Sequence, residues 1–319
     1  MATGTFDPAT AGVGTQTITY TFTDLNGCRN KATVDIEVFA LPMVDIIGGP
    51  FCIDNTPENL TGTPAGGMYS GNGITDMTLG TFDPTTAGVG VHTITYTFTD
   101  GNGCTNSSDL NIEVFDLPIV SITGENFCVD DMASNLAATP TGGLYSGDGI
   151  VDASMGTFDP ATAGVGIFEI TYTFTDINGC TNGTVTNVEV FDLPVLKLTS
   201  DPFCIDDMPR DLAATPSGGI YSGYGITDLS NGTFDPSTAG VGSHTVTYTF
   251  TDLNGCTNST NTDVIVNALP VVSIDALPTA QVCIGNGIIV LSGTPTGGIF
   301  SGDGIVDGNA GTFAPKSSG

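Results

Sequence analysis

The chain has 319 residues and a formal net charge of −29, because five basic side chains oppose 34 acidic ones. This balance excludes nucleic acid as a partner, since phosphate binding needs clustered Lys and Arg, and it disfavours an anionic membrane surface for the same reason. Charged residues are nevertheless only 12% of the chain and hydrophobic residues 39%, so we expect a folded protein rather than a disordered acidic tail.

An internal repeat dominates the sequence and overrides any estimate of domain number from length. The segment Gly-Thr-Phe-Asp-Pro begins at Gly4, Gly80, Gly156 and Gly232, at intervals of 76 residues, and the variant Gly-Thr-Phe-Ala-Pro begins at Gly311. The repeat therefore has to be interpreted before any single motif.

Leu-Pro pairs mark the boundaries between repeats, because each pair follows an alternating strand pattern and proline stiffens the next step of the chain. Linkers this short predict touching repeats in a semi-rigid rod. The predicted domains are the C-terminal part of a repeat at 1–41, complete repeats at 42–117, 118–193 and 194–269, and the N-terminal part of a repeat at 270–319.

The front half of repeat 42–117 shows short strand patterns separated by glycines and prolines. No amphipathic helix of ten residues can be written anywhere in the repeat. We predict strands at 44–47, 58–61 and 68–70.

The back half of the repeat predicts a long hairpin. Residues 93–100 alternate so that Ile94, Tyr96 and Phe98 share one face, which we predict to be the core. Asn102-Gly103 is typical of a tight hairpin turn, and the return strand starts at Cys104. Roughly seven short strands in one repeat predict an all-β fold, a two-sheet Greek-key sandwich.

Five motifs recur in the complete repeats, and in repeat 42–117 they occupy residues 66–74, 80–84, 87–90, 93–100 and 102–104. Together they resemble the immunoglobulin-like (Ig-like) and PKD-like tandem repeats of very large Bacteroidota cell-surface proteins. The resemblance covers essentially the whole chain. It implies a tandem array of Ig-like β-sandwiches in a cell-surface adhesin, related to gliding motility or exported by the type IX system. Such repeats space a functional tip away from the cell.

Eight cysteines at fixed spacing in small modules are typical of an oxidising, extracellular setting. Zinc is disfavoured, because the sequence contains no Cys-x-x-Cys and only two histidines, His92 and His244. The sequence shows neither a signal peptide nor an apolar run long enough to span a bilayer. We therefore expect sequence outside this window to direct secretion to the cell surface.

The cysteines fall into two classes, and their spacing leaves three periodic pairings open. Front cysteines follow the first strand of a repeat, and turn cysteines follow the late hairpin turn. The front cysteines are Cys52, Cys128, Cys204 and Cys283, and the turn cysteines are Cys28, Cys104, Cys180 and Cys256.

In an Ig-type sandwich the two cysteines of one repeat lie at opposite ends, whereas a head-to-tail stack brings a front cysteine toward the turn cysteine of the next repeat. We favour this bond between a front cysteine and the turn cysteine of the next repeat, which we call the staple. Cys28 and Cys104 would then bond to upstream material, and Cys204 and Cys283 to downstream material. Pairing Cys28 with Cys52 across a linker is disfavoured. The favoured pairs are Cys52–Cys180 and Cys128–Cys256, and the alternative within repeats is Cys52–Cys104, Cys128–Cys180 and Cys204–Cys256.

Two motifs that suggest chemistry are better interpreted as turns. The glycine-rich stretch 66–73 lacks the helix and the lysine of a phosphate loop. Asp83, which recurs as Asp159 and Asp235, has no histidine or nucleophile beside it in sequence and suits an Asx turn before proline. We predict that the chain is not an enzyme.

The best candidate for a ligand surface is a face of threonines. Threonine also has high strand propensity and suits an exposed sheet face, which is the simpler interpretation. The alternative function is a binding module that recognises polysaccharide or ice through this face. Its residues are Thr93, Thr95, Thr97 and Thr99, with counterparts at Thr17, Thr19, Thr21 and Thr23.

Calcium is the most plausible ion, although no cofactor is required by the sequence. Asp100 and Asn102 lie at a turn, Asp116 and Asp192 lie in linkers, and hard oxygen ligands suit calcium. No Asp-x-Asp-x-Asp loop is present. Asn-x-Ser/Thr sequons begin at Asn59, Asn106, Asn182, Asn231 and Asn258.

The leading hypothesis is a structural one: a surface fibre, filament or adhesin stalk whose partners are neighbouring copies or a continuation of the same repeat chain. Both ends of the sequence fall inside a sandwich. We expect either a longer chain or subunits in which one copy's tail completes the next copy's head, as strand complementation does in pili.

Overall fold

The computed structural model describes residues 3–275, 281–285 and 287–315. The chain forms two compact units, one of Met1–Phe127 with Asp131–Val190 and one of Cys128–Asp130 with Phe191–Gly319. Strands dominate the described residues, and the helices among them are single turns of four residues. The predicted all-β class with tandem β-sandwich repeats is confirmed. None of the helices in the described part of the chain has the length and apolar character needed to cross a bilayer.

The part of the chain before residue 42 contains one short helix and one long hairpin. The two strands of the hairpin pair antiparallel over their full length, with Tyr20 opposite Ala32. Its elements are α1 (Pro8–Ala11), β1 (Gly14–Thr23) and β2 (Arg29–Val38).

Repeat 42–117 contains seven short strands, one helical turn and then a second long hairpin. These elements are β3 (Asp45–Ile47), β4 (Phe51–Cys52), β5 (Glu58–Asn59), β6 (Thr61–Thr63), β7 (Met68–Ser70), β8 (Ile74–Asp76), β9 (Thr81–Phe82), α2 (Pro84–Ala87), β10 (Gly90–Thr99) and β11 (Thr105–Phe115).

The strands of this repeat form a four-stranded sheet in the order β4-β11-β10-β7, a three-stranded sheet β5-β9-β8 and a pair β3-β6. The strand predicted at 58–61 is divided at Leu60, because β5 pairs with β9 whereas β6 pairs with β3. Leu60 is buried at this crossing and donates its N–H to the carbonyl of Gly80. The division, together with two-residue strands such as β4, explains why more strands are present than the predicted seven.

The next two repeats have the same element order. Repeat 118–193 contains β12 (Ser121–Thr123), β13 (Phe127–Cys128), β14 (Ser134–Asn135), β15 (Ala137–Thr139), β16 (Leu144–Ser146), β17 (Ile150–Asp152), β18 (Thr157–Phe158), α3 (Pro160–Ala163), β19 (Gly166–Thr175) and β20 (Thr181–Phe191). Repeat 194–269 contains β21 (Lys197–Thr199), β22 (Phe203–Cys204), β23 (Arg210–Asp211), β24 (Ala213–Thr215), β25 (Ile220–Ser222), β26 (Ile226–Asp228), β27 (Thr233–Phe234), α4 (Pro236–Ala239), β28 (Gly242–Thr251) and β29 (Thr257–Asn267).

The described residues after 270 form only front-half elements. These are β30 (Ser273–Ile274), β31 (Ile289–Val290), β32 (Gly293–Thr294), β33 (Ile305–Asp307) and β34 (Thr312–Phe313).

The core of repeat 42–117 is built by both halves of its sequence. The predicted core face is confirmed for Ile94 and Tyr96, which are 0% and 1% exposed, whereas Phe98 is half-buried at the edge of the cluster. From the front half, Phe51 and Phe82 pack against each other with ring centroids 5.3 Å apart. The hairpin therefore covers apolar side chains that the front half cannot bury alone.

Tyr96 joins the two halves through its hydroxyl group as well as its ring. The hydroxyl donates to the carbonyl of Pro64 and accepts from the N–H of Gly67 at 2.8 Å. A Cβ added at Gly67 would lie 2.6 Å from Cζ of Tyr96, so only glycine fits under the ring. Tyr248 repeats this arrangement over Gly219.

Replacing Ile94 with alanine should lower the free energy of opening of the repeat by about 2–5 kcal/mol, because the change leaves a cavity in the closed core. Val91 lies on the same strand but is 64% exposed, so Val91→Ala is the matched control and should cost less than about 1 kcal/mol. Native-state hydrogen exchange of the β11 amides measures both. Equal effects would show that the core face is misassigned.

Candidate functional site

The most distinctive chemistry of the chain is a disulfide between successive repeats. Cys52 and Cys180 are bonded across a sequence separation of 128 residues, with their Cα atoms 5.5 Å apart. That distance lies inside the range of about 4.4–6.8 Å that disulfides allow. Cys128 and Cys256 form the same bond in the second unit, also with Cα atoms 5.5 Å apart. These pairs are the staple pairs favoured above.

Strand β4 places Cys52 at the end of its repeat. β4 runs parallel to β11, so Cys52 lies opposite Phe115, the last residue of that strand. The N–H of Ile53 donates to the carbonyl of Phe115 at 2.9 Å, and the N–H of Cys52 donates to the side chain of Asn55 at 2.8 Å. The front cysteine is thus held beside the linker to the next repeat.

A tight turn between β19 and β20 positions Cys180. The carboxylate of Asp176 accepts hydrogen bonds from the N–H groups of Asn178 and Cys180, both at 2.9 Å. Gly179 has a φ of 87°, a left-handed conformation that favours glycine. Cys180 is completely buried. The turn cysteine therefore sits on a rigid, hydrogen-bonded loop.

An asparagine after each turn brings the two cysteines together. The side chain of Asn182 donates to the carbonyl of Pro118 at 2.9 Å, which ties the hairpin to the start of its own repeat. Phe115 and Pro118 are separated by only two residues of linker, so the neighbours of Cys52 and of Cys180 are close along the chain. The bond follows from these two local attachments.

The second unit contains the same attachments. The N–H of Val129 donates to the carbonyl of Phe191 at 2.9 Å, and the side chain of Asn258 donates to the carbonyl of Pro194 at 3.0 Å. In the sequence, Asn106, Asn182 and Asn258 stand out only as the first residues of sequons. Their constant position two residues after each turn cysteine was the signal that could have revealed this role.

The remaining four cysteines form no disulfide within this chain: Cys28, Cys204 and Cys283 are exposed, and Cys104 is partly buried. Two of them occupy the positions that the bonded cysteines occupy in other repeats. Cys204 lies opposite Asn267 in the β22–β29 pair, and Cys104 donates its N–H to Asp100. The prediction that all four bond to neighbouring material remains a prediction.

The threonine face is present, but most of its hydroxyl donors are used within the sheet. Thr93 donates to Asn111 at 2.8 Å, Thr95 donates to Asp109 at 2.7 Å, and the hydroxyl of Thr99 lies 2.8 Å from that of Thr105. Thr95 and Thr97 are also partly buried. These pairs favour the interpretation of the face as a cross-strand ladder.

The candidate calcium residues do not form one cluster. No group of three or more His, Cys, Asp or Glu side chains in the described part of the chain includes Asp100, Asp116 or Asp192. Asp100 instead accepts from the N–H of Asn102 at 2.9 Å, and both linker aspartates accept from the following backbone N–H at 2.8 Å. Among the described residues such a group is found at Cys204, Asp206 and Asp207, all exposed, where Asp207 accepts from the N–H of Cys204.

The Asp83 motif forms a helix cap. Asp83 accepts from the N–H of Thr85 and the hydroxyl of Thr86, at 3.0 and 2.7 Å, at the start of α2. The Thr86 hydroxyl, followed by backbone N–H groups, lowers the pKa of this carboxyl group. A carboxylate held ionised by capping bonds is a structural acceptor, which agrees with the turn interpretation.

Comparison with known proteins finds no matching family model and no matching curated protein. Among solved structures the chain is similar to a Ca²⁺-stabilised adhesin of an Antarctic bacterium that binds ice, with 13% identity over 81% of this chain and 82% of that one and a TM-score of 0.31. It is also similar to extracellular cadherin domains 3–6 of protocadherin gamma B2 (10% identity, 84% and 86% covered, TM-score 0.26) and to Drosophila N-cadherin EC1–4 (11%, 79% and 83%, 0.25). We draw no conclusion about this chain from likenesses at this level.

Cutting the backbone between Cys52 and Cys180 should leave the two fragments covalently joined. A protease recognition sequence inserted at Glu125, in an exposed loop, separates Cys52 from Cys180. The cut chain should run as one species on a non-reducing gel and as two after reduction. Pairing within repeats would instead give two species under both conditions.

Two variants provide matched controls for this cut. Cys180→Ser removes the bond that bridges the cut, so its fragments should separate without reduction. Cys256→Ser removes the bond from Cys128, and both of these residues lie on the same side of the cut. Its fragments should stay joined.

Proposed function

We propose that this chain is an extracellular structural repeat protein, a segment of a surface fibre, filament or adhesin stalk, whose repeats are stapled to their neighbours. The observation that carries the proposal is the Cys52–Cys180 disulfide, which joins the front half of one repeat to the hairpin of the next. A covalent bond beside the linker gives a pulling force a second path past the junction. A stalk needs that property, whereas an isolated binding module does not.

The two disulfides together shorten the covalent path through the chain. From Cys52 to Cys256 the backbone runs through 204 residues, 256 minus 52. The path through both bonds runs from Cys52 to Cys180, back along the chain to Cys128 and on to Cys256, and so contains only 52 residues, 180 minus 128. Stretched backbone spans roughly 3.3–3.6 Å per residue. The stapled region is therefore limited to about 180 Å of extension instead of about 700 Å.

The bonds also stabilise the fold against unfolding. Closing a loop of 128 residues lowers the entropy of the unfolded chain by an amount worth on the order of 5 kcal/mol in the chain-entropy model. The loops overlap between Cys128 and Cys180, so the two contributions do not simply add. A repeat with a small core gains from such a bond, as small secreted domains do.

An extracellular location is supported by the same chemistry, because disulfides persist in oxidising compartments. The charge of −29 keeps a long array soluble by mutual repulsion. The resemblance of the repeats to those of Bacteroidota surface adhesins supports the same location. No catalytic role is proposed, since the recurring aspartates act as caps and turns.

Pulling single chains by their ends tests the mechanical part of the proposal. The oxidised chain should stop extending about 500 Å short of the reduced chain, since reduction releases 152 residues, 204 minus 52, between Cys52 and Cys256. The variant Cys52→Ser/Cys128→Ser should reach the full length under both conditions. An oxidised native chain that extends as far as the reduced chain would refute the second force path.

Labelling of intact cells tests the location. Antibodies raised against the chain should bind unpermeabilised cells of the producing organism and decorate thin projections in electron micrographs. An antibody to a cytosolic protein, which should label only permeabilised cells, is the control. If the repeat antibodies also needed permeabilisation, the extracellular assignment would be wrong.

A further inference from the structure

The hairpin β1–β2 has the sequence pattern of a core-forming hairpin but presents its apolar face to solvent. Tyr20 is 58% exposed, whereas its counterpart Tyr96 is 1% exposed, and Ile18 is 36% exposed where Ile94 is completely buried. In the part of the chain that the structure describes, no front half packs on this hairpin. A face of this kind is buried in every complete repeat.

The front-half elements after residue 270 present the complementary surface. They enclose an open groove of about 650 Å³ lined by Ile274, Leu291 and Phe300, together with Pro295 and Gly298. In repeat 194–269 the corresponding positions are core residues or contact the hairpin of that repeat. They are Leu198, Leu212, Tyr221, Pro216 and Gly219.

The groove contains an unfilled site for one tyrosine side chain, which we call a socket, at Pro295 and Gly298. In repeat 194–269 the hydroxyl of Tyr248 donates to the carbonyl of Pro216 at 2.5 Å and accepts from the N–H of Gly219 at 2.8 Å. A Cβ added at Gly219 would lie 2.6 Å from Cζ of Tyr248. At the matching Gly298 the nearest atom to an added Cβ is 4.0 Å away.

A second socket is open in the same segment. A Cβ added at Gly223 would meet the carbonyl of Thr245 at 2.7 Å and Cα of Val246 at 3.1 Å, because the hairpin strand crosses there. At the matching Gly302 nothing lies within 4 Å. Both sockets are therefore open on the side from which a hairpin enters in a complete repeat.

We propose that copies of this chain join head to tail, with the groove of one copy binding the hairpin β1–β2 of a second copy. The register is that of β25 with β28, in which Tyr221 lies opposite Tyr248. It places Tyr20 of the second copy opposite Phe300, with its hydroxyl on the carbonyl of Pro295 and the N–H of Gly298. The occupant is identified by this match of sequence and shape, since a hairpin of the same pattern fills the groove of each complete repeat.

The cysteines independently support this joint, by which we mean the contact between the groove of one copy and the hairpin β1–β2 of a second copy. In the observed staples a front cysteine bonds to the turn cysteine of the next repeat. Extending that rule across the joint pairs Cys204 with Cys28 of the second copy, and Cys283 with Cys104 of the second copy. Each of the four cysteines without a disulfide in this chain then has a partner.

Formation of these bonds is an oxidation by thiol–disulfide exchange. Each pair of thiols loses two protons and two electrons to form one S–S bond, and a small-molecule disulfide such as oxidised glutathione is reduced to two thiols. The joint is heterologous, so each copy that is added leaves one groove and one hairpin free to bind a further copy. This inference rests on the proposed structural role and specifies how its units connect.

The test mixes equal amounts of ¹⁵N-labelled and unlabelled 319-residue chain in a glutathione redox buffer at moderate salt, which screens the repulsion between acidic chains. We expect a concentration-dependent ladder of multimers. Mass spectrometry of the non-reduced digest should show peptides joined through Cys204 and Cys28 that carry one labelled and one unlabelled partner. Linked peptides from single chains only, or a chain that stays monomeric at every concentration, would refute the joint.

Variants of the groove and the hairpin test the register. Gly298→Ala has space in the free chain but should collide with Tyr20 of the second copy, and Tyr20→Asp removes the aromatic ring from a face that is exposed before assembly. Either change should lower the yield of mixed-label peptides at least tenfold. Gly287→Ala, where nothing lies within 4 Å, is the control for the groove and should leave the yield unchanged. Association that survives Gly298→Ala would overturn the proposed register.

The exposed turn residue Leu25 supplies the control for the hairpin. Its counterpart Ile177 is 100% exposed although its repeat is stapled, so Leu25→Asp should not disturb the joint. Single-chain pulling needs no second copy. A chain that fails to assemble but still shows the shortened extension would refute the joint and leave the proposed structural role standing.

Discussion

The long hairpin at the end of each repeat closes a core that the rest of the repeat leaves open on one side. In repeat 42–117 Ile94 and Tyr96 of β10 belong to the same buried cluster as Phe82 and Tyr69 of the front strands. The front strands are two or three residues long, so their own pairing buries little surface. Neither half can bury its apolar residues alone, so the fold depends on the hairpin binding the front half in one register. The hydroxyl of Tyr96, which bonds to Pro64 and Gly67, selects that register.

Much of this architecture follows from alternation, which reveals long strands better than short ones. The pattern around Ile94 and Tyr96 predicted the hairpin and its buried face, because ten paired residues repeat the signal. Strand β4 escaped prediction, since a strand of two residues is defined by its backbone partner and shows no period. The same pattern predicted Phe98 in the core. Phe98 is the second-last residue of β10 and only packs against the edge of the buried cluster, so it is partly buried.

The disulfide pattern shows where sequence reasoning needs three-dimensional information. Cysteines at fixed spacing are periodic under either pairing, so the spacing alone leaves the choice open. Two local attachments favour the staple in the fold: β4 running parallel to β11, and Asn182 bonding Pro118. The hydrogen bonds of the threonine face need the same information, because Thr95 is seen to lie opposite Asp109 only once the register of the hairpin is known.

The staple and the core are mechanically coupled through the hairpin turn. Cys180 is bonded to Cys52 of the preceding repeat, while Asp176 and Asn182 on either side of it hold the turn and the repeat start. Hairpin β19–β20 therefore cannot leave its own core without pulling on β4, the edge strand beside Phe115. Solenoid repeats ordinarily share stability only through surface contacts with their nearest neighbours. Here a covalent bond adds to that coupling, so the opening of one repeat is resisted by the fold of the repeat before it.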